Sequence, residues 1–259
     1  MVYLEYIKNT FRSHLIYRLN WRMKILGLSF SLILQICLWE ALTYSKQDVV
    51  SMEYMLSYIL LSLLIQSLIV SNTINTVNQH IYSGQIAMDV IKPIKFRRYM
   101  FCESIGHSLF SFLFECVPVT VVATLILKNY ELWKKIDCFF IVSVLLGVYL
   151  YFSIAYFLAL TSFWWTQTWI LSRFLNDFVS LFSGKLIPLW MFPSILLLVS
   201  KWLPFSYIYY VPISMMIDNV SVNQKLLLIG KQLVWCIIFY LLGSIVEHKG
   251  MKKLQVQGG

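Results

Sequence analysis

Six stretches of this chain read as long hydrophobic segments: residues 25–44, 52–73, 101–127, 138–162, 165–183 and 226–246. A helix needs roughly 20 such residues to cross the ~30 Å hydrocarbon core of a bilayer. Charged residues make up 13% of the 259 positions, against roughly 25% in a globular domain, so there is too little polar surface to cover a water-soluble fold. The expectation is an all-α, polytopic membrane protein. Six transmembrane helices form one domain over residues 25–247, with an interfacial segment at 1–24 before it and a tail at 248–259 after it.

Residues 1–24 read as a basic amphipathic helix. Leu4, Ile7, Phe11, Leu15 and Leu19 recur at helical spacing, while Glu5, Asn9, Arg12 and Asn20 fall largely on the other side. Such a helix lies in the headgroup plane or against its own protein. The charges through this segment and the length of the first apolar run argue against a cleaved leader. Lys and Arg placement sets the orientation. All six arginines (Arg12, Arg18, Arg22, Arg97, Arg98 and Arg173) fall on one side of an even-span topology. The opposite loops hold lysines accompanied by acids, such as Lys46 by Asp48 and Glu53. Both termini are therefore expected in the cytoplasm. The net charge of +9 reads as topology and attraction to anionic lipid, with no nucleic-acid partner.

One polar, basic interval, residues 74–100, interrupts the apolar text between spans 2 and 3. Ile81, Ile86, Val90 and Ile94 alternate with Gln85, Asp89 and Lys92, which predicts a short helix. Gly84 lets the chain turn where span 2 ends, and Pro93 ends the helix. Lys95, Arg97 and Arg98 then sit at the headgroups as a membrane anchor. A helix held between two spans either transmits force from a bound soluble domain or is a plain connector. Later, Pro193 and Pro204 bound the apolar run at 195–199, which is too short to span. Residues 184–212 thus predict a re-entrant segment or a peripheral loop with one interfacial helix, anchored by Trp190, Trp202 and Tyr207.

The chain has no GxxxxGK[ST] phosphate loop; Gly184–Lys185 and Gly230–Lys231 lack the upstream glycine and the following hydroxyl. It has no HExxH or GxSxG motif, and its four histidines are scattered. No catalytic residue, metal site or bound cofactor is expected, and the five cysteines read as small buried hydrophobes. Work against a gradient must then draw on a partner or on ions. Charges within spans are costly and therefore informative. Glu40 lies near the outer end of span 1. Glu103 and His107 are four apart on span 3, and Glu115 follows about 18 Å further on, before Pro118. Arg173 and Asp177 are spaced to pair within span 5. These groups line a hydrophilic pathway or form interhelical pairs. An ion-coupled carrier or channel would relay through Glu115, Asp177 and Arg173. A membrane enzyme would need a catalytic constellation that the chain lacks, and a scaffold explains the 74–100 interval less well.

Taken in order, the chain resembles the bacterial ABC type-2 exporter permeases. The likeness rests on the amphipathic first helix, six spans, GQIAMDVIKPIKFRRYM after span 2, SGKLIPLWMFP after span 5 and a tail ending KKLQVQGG. It is most similar to the six-span subfamily whose loop reads roughly G-x-I-[polar or small]-x-L-x-[KR]-P, with Val90 where leucine is commoner. The resemblance covers essentially the whole chain, and the order of short motifs carries it. It implies an elbow helix at the N-terminus, a cytoplasmic coupling helix at Ile81–Pro93 and outer re-entrant helices over 184–212. The coupling residues would be Ile81, Gly84, Gln85, Ile86, Asp89, Val90, Lys92 and Pro93. It also implies two paired permease subunits, identical or related, and separate cytoplasmic ABC ATPase subunits that hold ATP and Mg. The cargo would be an amphipathic or lipophilic drug, antibiotic, peptide or glycolipid exported across the bacterial plasma membrane.

Overall fold

The computed structural model describes residues 2–16, 18–45, 51–69, 72–91, 94–127, 130–165, 169–218 and 220–257. Lys92 and Pro93 lie outside these residues, and Val90 is described by its backbone alone. The elements are α1 (Val2–Ile16), α2 (Arg18–Ser45), α3 (Met52–Ile69), α4 (Thr73–Tyr82), α5 (Gln85–Ile91), α6 (Phe96–Phe110), α7 (Val117–Leu127), α8 (Glu131–Lys134), α9 (Cys138–Leu160), α10 (Trp169–Phe182), α11 (Ser194–Trp202), α12 (Tyr210–Ile217) and α13 (Val222–Gln257). A π-helical turn, Ser111–Cys116, joins α6 to α7. Every regular element among the described residues is helical.

Among the described residues five helices are long and apolar enough to cross a membrane: Arg18–Ala41, Met52–Tyr82, Phe96–Leu127, Cys138–Phe163 and Val222–Lys253. The fifth predicted span corresponds to α10, whose 14 residues rise only about 21 Å, short of the hydrocarbon thickness. The last helix is longer than predicted and carries on through the expected tail to Gln257. Lys253 Nζ there donates to the Phe163 carbonyl at 2.9 Å. At the opposite end Lys225 Nζ meets the Asp137 carboxylate at 2.5 Å. Since both contacts join like ends, α9 and α13 run parallel, and the intervening chain must return between them.

The core lies where α3, α9 and α12 meet. Leu61, Ile65, Leu150, Ile208 and Ile213 are fully buried there. Gln232 of α13 is fully buried too. Its amide accepts from Ser143 Oγ at 3.0 Å and donates to the Ser143 and Tyr207 carbonyls at 2.8 and 3.0 Å, so no polar capacity is stranded in apolar surroundings. At the α3 start, Tyr54 donates to Asp218 at 2.6 Å and packs edge-on against Trp190. This fastens the stretch 184–218 across that end. Within it α11 leaves Ile195, Leu198 and Trp202 exposed, whereas α12 is buried between α3 and α9. In contrast to the expectation for cysteines, Cys37 and Cys138 are exposed; Cys102, Cys116 and Cys236 are buried.

The first helix packs on its own protein. Tyr6 meets Tyr99, and Phe11 meets Phe110 and Phe114. Gly106 permits the approach: a Cβ there would lie 2.7 Å from the Ile7 carbonyl and 2.8 Å from Thr10 Cβ. Of the predicted apolar stripe, Ile7 and Phe11 turn toward α6, while Leu4, Leu15 and Leu19 are exposed.

Candidate functional site

Two polar cavities meet inside the helical bundle at Asn72 and His107. One, of about 210 Å³, is lined by Thr10 and His14 of α1, Asn72, Thr73 and Thr76 at the start of α4, and Glu103, Ser104 and His107 of α6. The other, of about 430 Å³, is lined by Lys24, Gln66, Tyr151, Asn176, Ser180, Lys185 and Tyr209 as well. Such a density of polar groups among apolar helices is costly unless they face water, each other or a polar occupant.

The sequence builds this interior on the broken third span. Pro118 has no N–H to donate back into the helix, and the chain widens into a π turn just before it. A π turn holds more residues per turn, so positions four apart drift less around the axis. Glu115 thereby stays near the face that carries Glu103 and His107. It is 3% exposed, and Lys24 of α2 closes on it at 3.2 Å. The rings of His14 and His107 stand edge to face, 4.3 Å apart. Burial, and then Lys24, hold the His14 imidazolium below its ordinary pKa, while Glu115 pulls the other way. Across the larger cavity Tyr151 donates to Asn176 Oδ1 at 3.1 Å.

The predicted coupling segment is a helix strapped to the one before it. Ile81, half-buried, belongs to the last turn of α4, and Gly84 turns the chain at φ +72° into α5. His80 Nδ1 then donates to Asp89 Oδ2 at 2.5 Å. Asp89 is 2% exposed and Ile86 fully buried, while Met88 and Ile91 are 66% and 78% exposed and Gln85 is open beside them. The outer surface of α5 is thus Gln85, Ala87, Met88 and Ile91. Asp89, placed among the docking residues by sequence, points inward as a tether.

The basic residues after α5 divide. Lys95 and Arg98 are exposed. Arg97 is drawn into the protein instead of projecting as an anchor. Its Nη1 donates to the Tyr240 carbonyl at 3.0 Å, its Nη2 lies 3.3 Å from Glu247, and its guanidinium stacks on the rings of Tyr156 and Tyr240. Of the expected intramembrane charges, Glu103 lines the smaller cavity and Glu115 meets the larger one through Lys24. Glu40, Arg173 and Asp177 are exposed and line neither. Arg173 and Asp177, spaced to pair, form no ion pair, so the three candidates for an ion relay are not brought together. Asn176 and Ser180, neighbours of the pair on the same helix, line the cavity in their place. Sequence reasoning passed over Lys24, Gln66, Asn72, Asn176 and Lys185 as cavity residues; for Gln66, Asn72 and Asn176 the available signal was an uncharged polar residue within an apolar segment. Among the described residues no cluster of three His, Cys, Asp or Glu side chains suits a metal ion.

No curated protein matches the chain, and no solved structure does. The profile of the family described as ABC-2 family transporter protein matches residues 23–258, which takes in every element after α1 except the start of α2. A match of that extent, over five membrane-crossing helices, establishes that the chain belongs to the ABC-2 family of transporter proteins.

Proposed function

We propose that this chain is the permease subunit of an ATP-driven exporter, moving an amphipathic or lipophilic cargo out of a bacterial cell. One observation carries the reading: α4 is strapped to α5 through His80–Asp89 at its end, and lines the smaller cavity with Thr73 and Thr76 at its start. Movement of α5 is therefore movement of a cavity wall. Separate cytoplasmic ABC ATPase subunits, holding ATP and Mg, dock on Gln85, Met88 and Ile91. Their closure tilts α5 and α4, and the cavity alternates between two openings. Cargo moves because its affinity differs between the two states. Lys92 and Pro93 complete the docking segment, and Lys95 and Arg98 hold its root at the headgroups.

The parallel run of α9 and α13 supports a sixth crossing through α10, since the chain between them must return. Six crossings put both termini and α5 on one side, and the Lys and Arg distribution makes that side cytoplasmic. α1 is then the elbow helix, and residues 184–212 form the outer re-entrant cap. Leu26, Phe30, Ile33, Val234, Ile237 and Leu241 are exposed on α2 and α13, apolar surface suited to lipid and to a second permease subunit. Co-expression with an ABC ATPase and purification in nanodiscs tests the reading. The complex is expected to copurify and hydrolyse ATP, and Gln85→Arg with Met88→Glu to abolish association. Unchanged association in that variant contradicts the docking assignment.

A further inference from the structure

The larger cavity has a sign. Lys24 enters it from α2, and Lys185 from the loop between α10 and α11. Among the described residues no carboxylate lines it. Lys24 is paired with Glu115, which does not itself line the cavity, whereas no ion pair between described residues ends on Lys185, which is half-buried. An ammonium withdrawn from water without a counter-ion is costly, and an anion in the cavity offsets that cost. Around the two lysines, Asn176 and Ser180 add hydrogen-bonding groups. The smaller cavity differs, because Glu103 lines it together with His14 and His107.

We propose that the larger cavity takes the anionic group of an amphiphile, a phosphate or carboxylate head, with Lys185 as its principal counter-ion and Lys24 as the second. This rests on the exporter reading only where it calls the occupant cargo. The probes are dodecyl phosphate and dodecyltrimethylammonium, which share a tail and differ in charge. They are titrated calorimetrically into the full chain in phosphatidylcholine nanodiscs, with empty discs subtracted. Dodecyl phosphate is expected to bind at least about tenfold more tightly, and Lys185→Gln to weaken it by about tenfold, as loss of one charge-assisted contact does. Lys24→Gln is made together with Glu115→Gln, so that no carboxylate is stranded, and is expected to weaken it further. Lys201→Gln, on the exposed side of α11, leaves binding unchanged. Equal affinity for the two probes, or full affinity in both cavity variants, overturns the proposal. Discs containing phosphatidylglycerol separate two sources of the anion: a resident lipid competes and raises the apparent Kd, whereas a transported amphiphile binds as before. Anion preference without ATPase association removes the exporter reading and leaves this one; association without anion preference does the reverse.

Discussion

The carboxylate of Asp89 and the imidazole of His80 are both nearly inaccessible and 2.5 Å apart. Breaking a buried ionic pair by removing one partner costs up to about 3–5 kcal/mol. His80→Ala is therefore expected to release α5, read as faster hydrogen exchange over residues 85–91, with α9 and α13 unaffected. His14 gives a second outcome at this scale. Its folded pKa lies below the ordinary 6.5, so the native state binds the proton less readily than the unfolded chain. Stability is thus fully present above that value and falls as the pH drops through it. Thermal unfolding in detergent should show a midpoint that declines between about pH 7 and pH 5, and less steeply in His14→Gln. Neither role is visible in sequence. A seven-residue helix such as α5 has too few turns to reveal which face is inward. The Lys24–Glu115 pair joins residues on separate spans, which spacing along one helix cannot find. Spacing favoured Arg173 with Asp177, yet four-residue separation only makes an ion pair available, and both residues are exposed, where water competes for the charges.

At the level of elements, the apolar runs gave the helices because run length and bilayer thickness obey the same geometry. The punctuation was also readable: Gly84 sits at the turn into α5. The π turn was not, since Pro118 announces a disturbance without saying whether the helix bends or widens. α9 is capped by Asp137, whose carboxylate accepts from the Phe140 N–H at 2.8 Å and also holds Lys225. Asp137→Ala is expected to cost about 1–2 kcal/mol for the cap alone, seen as a lower thermal midpoint, and Asp137→Asn to recover part of it. Gly106→Leu should detach α1 from α6. The measurement is protease sensitivity near the N-terminus, which should rise while the remaining helices stay protected.

The molecule as a whole combines three features: an apolar shell, a polar interior and a strapped helix at one end. The first was evident from composition, but the second depends on which faces of α2, α4, α6 and α10 converge, and only packing reveals that. The sixth crossing is tested by single cysteines at exposed Trp164 and Ile187 in a cysteine-free background. They are expected to react with impermeant thiol reagent from opposite sides of the membrane. Labelling from one side alone would mean that α10 does not cross. The claim that matters most is that force enters through the open face of α5. A photo-cross-linking residue at Met88 or Ile91, in the full chain expressed in its own cells, tests it directly. The predicted product joins this chain to a soluble protein with an ATP-binding cassette, and is lost with His80→Ala. Cross-links from both positions only to lipid or to the chain itself would contradict the account.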